Sequence, residues 1–180
     1  MSKLLDPDLV YVIAEIGQNH GGSMDAARAL IDAAAACGVD AVKSQKRCVL
    51  DCCAPADWAR PYTGRNSFGP TYLEHRRALE FTIEQHAELA AYASGLCLDY
   101  GLAVFDVHSA KECMAYDFPW LKVPSCHLVT KQGDVRADLL GLLAKDGRPL
   151  LISTGATTSG QVMRAINALD NAKAGSIVLM

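Results

Sequence analysis

The chain has 180 residues, about half of them apolar (51%), with a formal net charge of −3. This size suits one domain of ordinary dimensions with a real core, and the mild acidity gives no reason to expect nucleic acid or an anionic membrane as partner. No apolar run approaches the roughly 20 residues of a membrane span, and MSKLLDPDL lacks the apolar stretch of a secretory signal.

Residues 9–15 are β-branched and apolar and read as a buried strand. GQNHGGS turns the chain, and Ser23 caps a helix from Met24 to Cys37 that Gly38 ends. A second strand covers 39–43, followed by an irregular stretch to about residue 71 that holds Pro55, Pro61 and Pro70. A loop of that length in a compact domain is usually functional. A helix over 72–80 leads to a second one, capped by Thr82 with Gln85 and running to about Tyr100 before Gly101 stops it. LAVFD is the third strand, and Ser109 with Glu112 suggests a capping box for a short helix. Strand four (119–123), a helix (136–145), strand five (149–152), a helix capped by Thr158 with Gln161, and strand six (176–180) complete the order.

Strand–helix alternation predicts an α/β fold with a parallel sheet and right-handed crossovers. A barrel and an open doubly wound sheet share this pattern. No G-x-G-x-x-G follows the first strand and no G-x-x-x-x-G-K-[ST] occurs, which weakens the nucleotide-binding alternatives. Polar residues at the strand ends favour the barrel: Glu15 closes VYVIAE, Lys43 and Gln45 close VDAVKSQ, Asp106 closes LAVFD, Lys122 and Ser125 close PWLKVPS, and Ser153 closes PLLIST. In a (β/α)8 barrel those ends share one cleft. Here six strands are counted where a full barrel has eight.

Lys43 and Lys122 are the sharpest pair, because a lysine ending an apolar strand is costly to desolvate unless it meets an anion. Two converging lysines suit a phosphate or carboxylate. Ser125 and Ser153 add hydroxyls, and Thr154 and Gly155 offer backbone N–H groups. Glu15 is a candidate hydrogen-bond or proton acceptor that also pairs with Lys43. Gln45 shares the face of Lys43 by the two-residue strand period. Asn19 in the first loop and Asp106 at the third strand end are further substrate-binding candidates. Asp106 with His108 also has the spacing of metal ligands, a weaker reading. His20 reads as structural, and His75 and His86 as surface groups on helices. Lys46, Arg47, Arg60 and Arg65 read as mostly solvated. Of the seven cysteines, Cys48, Cys52 and Cys53 cluster without zinc spacing, and Cys37, Cys97 and Cys113 read as small buried hydrophobes. The set is expected to be reduced.

VIAEIGQNHGGSMDAARALIDAAAACGVDAVKSQK, TYLEHRRALEF, LKVPSCHL and RPLLISTGA, in that order, resemble the N-acetylneuraminate (sialic acid) synthase family over the whole chain. The resemblance implies residues 1–180 of a TIM-barrel domain that condenses phosphoenolpyruvate with an N-acetylated aldose, N-acetylmannosamine or a related sugar, and releases phosphate. It implies a cytoplasmic homodimer and a divalent metal, manganese or magnesium. Lys43, Lys122, Ser125 and Ser153 match positions that hold phosphoenolpyruvate, and Glu15 and Gln45 match the sugar side. Two departures stand out: the family's K-F-Q is Lys43-Ser44-Gln45, and STGM is Ser153-Thr154-Gly155-Ala156. The last strands, the metal-binding histidines and an antifreeze-like C-terminal domain do not occur in these residues, so no residue here is assigned to a metal. The expectation is an incomplete synthase showing at most the phosphoenolpyruvate half-site, with open sheet edges that destabilise it or pair with another chain. The alternative is a non-catalytic anion-binding remnant or interaction module. A third reading, a related synthase acting on a phosphorylated sugar, is allowed by the basic loop but fits the E-I-G-Q-N-H opening poorly.

Overall fold

The computed structural model describes residues 3–130 and 132–180. Six strands, β1 (Ile13–Gly17), β2 (Ala41–Lys46), β3 (Asp99–Val104), β4 (Leu121–Val123), β5 (Leu150–Ile152) and β6 (Ile177–Leu179), form one sheet. All neighbours are parallel and the spatial order equals the chain order. A doubly wound sheet reverses direction at a switch point, whereas a barrel adds each strand beside the last. The order therefore decides the question left open by the pattern: this is α/β architecture of the TIM-barrel type.

The helices are α1 (Met24–Ala36), α2 (Val49–Cys52), α3 (Pro55–Trp58), α4 (Tyr72–Leu79), α5 (Ile83–Gly95), α6 (Val107–Met114), α7 (Ala137–Ala144) and α8 (Ser159–Asn171). Of these, α1, α5, α6, α7 and α8 pack against the outer face of the sheet through a core that includes Ile31, Leu89, Leu102, Leu121, Leu140, Leu150 and Leu169. Among the described residues no helix is long and apolar enough to cross a membrane.

Capping boxes at Thr82/Gln85 and Thr158/Gln161 form as predicted. The Ser109/Glu112 box does not. Asp106 caps α6 instead, accepting from the Ser109 backbone N–H at 2.7 Å. A box missed in the sequence, Thr71 with Glu74, starts α4. The helix expected to reach Tyr100 ends at Gly95, because Cys97 takes a left-handed φ of 61° and turns the chain. Tyr100 and Gly101 belong to β3. The first strand begins at Ile13 rather than residue 9, and Val10 is 86% exposed. The long stretch after β2 contains the short helices α2 and α3.

The inner face of the sheet carries a small apolar layer of Ala41, Trp120 and Leu151, with Tyr11, Ile13 and Val178 packed on it. Gly101 makes this layer possible. Any Cβ at Gly101 would overlap the ring of the fully buried Trp120. The indole Nε1–H donates to the Tyr11 hydroxyl at 3.2 Å, and that hydroxyl donates to Asp99. Buried polar atoms at this end are thus satisfied.

Four histidine and cysteine expectations are corrected. His75 and His86 are buried, not on the surface. His86 Nδ1 lies 3.0 Å from the Tyr100 hydroxyl, and burial holds its pKa far below the usual imidazole value, at about 3. Cys113 is buried as expected, but Cys37 and Cys97 are exposed at helix ends; all seven cysteines are free thiols.

Replacing Gly101 with Ala is expected to destabilise the chain by about 1–3 kcal/mol, since the trapped indole has no room to yield. Urea unfolding of the variant against the parent protein measures this, and an unchanged midpoint with unchanged slope contradicts it.

Candidate functional site

Parallel pairing sets the cleft. In the register Glu15 stands opposite Lys43, and Lys43 opposite Gly101. One step further along, Gln45 aligns with Ala103, Ala103 with Lys122, and Lys122 with Leu151. Glu15, Lys43, Gln45 and Lys122 thus follow the Trp120 layer on the same inner face. Ile13, Glu15, Lys43, Lys122, Leu151 and Met180 line one cavity of ≈160 Å³.

Lys43 is 6% exposed and forms an ion pair with Glu15, whose carboxylate is half open to solvent. Lys122 has no acidic side chain within ion-pair distance among the described residues. Burial and then the neighbouring Lys43 charge hold its pKa below that of an ordinary lysine, with Glu15 opposing them. A desolvated ammonium beside a second one is an electrostatic deficit that an anionic ligand removes.

Ser125 opens a short 3-10 turn directly after β4. Its Oγ lies 3.4 Å from the point where a Cβ of Gly155 would stand, so it faces the turn after β5. Ser153 is held there by its N–H bonded to Val123 O at 3.1 Å. The Thr154 backbone N–H is not free for a ligand: it and the Thr154 hydroxyl both donate to Met180 O at 2.9 Å.

Two other sequence candidates lie elsewhere. Asp106 is 2% exposed, and its carboxylate accepts from Ser109 N–H and Oγ, from the Cys48 N–H at 2.8 Å and from the Cys52 thiol at 3.1 Å. It ties the long loop to β3 and does not line the lysine cavity. Neither does it pair with His108, which is exposed and faces Glu112 at 3.8 Å. Asn19 lines a separate groove of ≈570 Å³ between the first loop and the long loop, with Tyr62, Arg65, Ser67, Phe68 and His75. His20 is structural: its ring stacks on Phe81 at 4.0 Å and its Nδ1 accepts the Gly22 N–H. No three His, Cys, Asp or Glu side chains among the described residues converge as metal ligands. The described residues do not supply a ligand set for the divalent metal that the resemblance implies.

Of the four basic residues expected to be mostly solvated, Arg60 and Arg65 are exposed but Lys46 and Arg47 are not. Lys46 is buried and pairs with Glu112 at 3.0 Å. Arg47, 9% exposed, lies over the Phe105 ring at 4.0 Å, pairs through Nε with Glu80 at 3.0 Å and donates through Nη2 to the Gln45 side-chain oxygen. Glu80 also accepts from Gln18 Nε2 at 2.5 Å, and Gln18 Oε1 accepts from Arg76 at 2.8 Å. Burial outweighs these partners and pushes the Glu80 carboxyl up to about 7. The signal that would have found Arg47 is the strand period itself: Lys43, Gln45 and Arg47 continue one face by twos.

With this geometry in hand, comparison with known proteins is specific. The NeuB family model matches residues 30–180. The chain belongs to the NeuB family. It is 35% identical over 164 residues to the N-acetylneuraminate-9-phosphate synthase of Mus musculus, covering 89% of this chain and 44% of that protein. It is 27% identical to the N,N'-diacetyllegionaminic acid synthase of Campylobacter jejuni, covering 94% of this chain and 50% of that one. The solved sialic acid synthetase of Leptospira borgpetersenii, a citrate complex, superposes with a TM-score of 0.74 at 22% identity, over 96% of this chain and 53% of that chain. At that identity the likeness shows fold. The chain spans about half the length of the curated relatives it matches.

Because folding raises the Glu80 pKa from 4.5 to about 7, the folded state binds the extra proton between those values. Stability from this group is therefore present below about pH 4.5 and is lost as pH rises to about 7. Relative to wild type, Glu80→Gln should gain stability across that window, by a total on the order of 2–3 kcal/mol. Melts at several pH values test this, and parallel pH profiles for the two proteins contradict it.

Proposed function

We propose that the NeuB-family cleft binds phosphoenolpyruvate and that the chain carries this half of a synthase site, which joins it to an N-acetylated amino sugar with release of phosphate. One observation carries the reading: two lysines, 79 positions apart in sequence (122 − 43), line one small cavity, and among the described residues Lys122 has no acidic side chain within ion-pair distance. A three-carbon acid bearing phosphate and carboxylate matches two ammonium groups. Ser125 and Ser153, which follow β4 and β5 at the same end of the sheet as Lys122, would hydrogen-bond the same anion.

The lysines stabilise charge and are not the nucleophile. The enol C3 forms the new carbon–carbon bond to the sugar aldehyde carbon, whose oxygen takes up a proton. Water adds at C2, giving up a proton, and the C2–O bond to phosphate then breaks, leaving a 2-keto acid. Glu15, half exposed beside Lys43, is the acceptor for sugar hydroxyls, and Gln45 extends the same side. The names of the relatives at higher identity extend the acceptor to a phosphorylated sugar. The groove carrying Arg65 offers donors for such a phosphate.

A second reading is an anion-binding module without turnover. Calorimetry with phosphoenolpyruvate, paired with a product assay, separates the two: binding without pyruvyl-sugar formation supports the module.

Lys122→Met is expected to weaken phosphoenolpyruvate binding about 10- to 100-fold, the loss of one charged hydrogen bond. Wild-type affinity should also fall as pH rises, beginning below the range of an ordinary lysine because Lys122 is depressed. Unaltered affinity in the Met variant removes Lys122 from the site.

A further inference from the structure

Gln45 stands on the inner face two residues beyond Lys43, and its amide has two chemically different ends. A guanidinium carries only donors, so the Gln45 atom that meets Arg47 Nη2 is the carbonyl oxygen. The amide nitrogen then lies on the other side. It sits over Gly17, where the position of a hypothetical Cβ is 3.3 Å from both Gln45 Nε2 and Glu15 Oε1. Gly17 has a φ of +51°, and no side chain fills that space. Arg47 itself has little freedom. Phe105 lies beneath its plane, Glu80 pairs with its Nε, and the Arg47 backbone N–H donates to Glu80 Oε2 at 3.3 Å. Turning the Gln45 amide over would set an NH2 group against the guanidinium and leave a buried donor without an acceptor.

From this geometry we infer that Arg47 is a positioning residue, which locks the Gln45 amide so that its NH2 faces the cleft beside Glu15 and selects a ligand group with a hydrogen-bond acceptor there. The inference rests on the proposed synthase cleft and deepens it. On the sugar side, Glu15 supplies an acceptor and Gln45 a donor, each 3.3 Å from one point above Gly17. A ligand that presents a carbonyl or hydroxyl oxygen to Gln45 and a hydroxyl hydrogen to Glu15 satisfies both. An ammonium at the Gln45 point leaves the amide donor unpaired. Specificity of this kind comes from the penalty for leaving a desolvated donor unpaired.

The test has two arms. In the first, the side-chain Cδ of Gln45 is followed by NMR in the ligand-free chain, with Gln45→Glu assigning the signal. Arg47→Met and the milder Arg47→Lys should both shift that resonance and exchange-broaden the two amide protons, while the melting transition shows each variant folded. An unmoved Cδ resonance in folded variants overturns the inference whatever the ligand. In the second arm, N-acetylmannosamine is titrated by calorimetry in the presence of phosphoenolpyruvate. Arg47→Met and Gln45→Glu should each weaken the sugar ~10-fold, with phosphoenolpyruvate affinity within about twofold of wild type. The double variant should be no weaker than either single one, because both act through one amide. Multiplying effects, or equal losses for both ligands, would make Arg47 a general structural support and overturn the assignment. Absence of all phosphoenolpyruvate binding by the unsubstituted chain counts against the proposed function, while the NMR arm still decides this inference.

Discussion

Everything at the inner face follows from one electrostatic constraint: an ammonium group placed at the end of a buried parallel strand must find negative charge. Lys43 finds it in Glu15, which the register sets directly opposite on β1. The pairing slips just beyond this point, where Gly17 rather than Ile16 aligns with Ser44, and the Ser44 hydroxyl bonds to Gly17 O at 3.0 Å. That small irregularity lets Ile16 bury while the first loop leaves the sheet toward the long loop. Lys122, two strands away on β4, has no acidic side chain within ion-pair distance among the described residues. The two lysines of the cavity thus differ: the fold supplies Lys43 with a paired carboxylate, while burial and the Lys43 charge hold the Lys122 pKa below that of an ordinary lysine.

The layer below and the walls around serve that arrangement. Trp120 closes the bottom of the inner face against Gly101, so the charged side chains stand at the open end of the strands. Arg47, Glu80, Gln18 and Arg76 form a chain of ion pairs and hydrogen bonds that joins the cleft edge to α4 and the first loop. Buried ionic chains of this kind are a poor source of net stability but a good source of a fixed geometry.

Much of this was legible in the sequence, for identifiable reasons. Apolar strands with polar final residues reveal the barrel class because the two-residue period and the parallel crossover are local rules. Lys43, Lys122, Glu15 and Gln45 could be placed because each lies on or just beyond a strand. Asp106 could not, because capping a helix and lining a cleft draw on the same residue type at the same strand end, and only the hydrogen-bond partners distinguish them. His86 looked like a surface group because its helix faces carry mixed polarity, yet Tyr100 waits for it across the core. The end of α5 was misjudged because Leu96 and Tyr100 keep helical spacing, while the break depends on a left-handed cysteine that no pattern announces. Ser44, where the resembled family carries an aromatic, was legible as a departure but not as the pin for Gly17.

Of the chain's two tryptophans, Trp58 lies half-buried in a short helix of the long loop, while Trp120 is wholly screened from water beneath the charged layer. An indole in so dry a setting, its N–H engaged by a phenol, emits toward the blue and responds to charge rearranged nearby. The molecule thus carries its own optical gauge at the foot of the cleft, one that a filled cavity will perturb without any added dye.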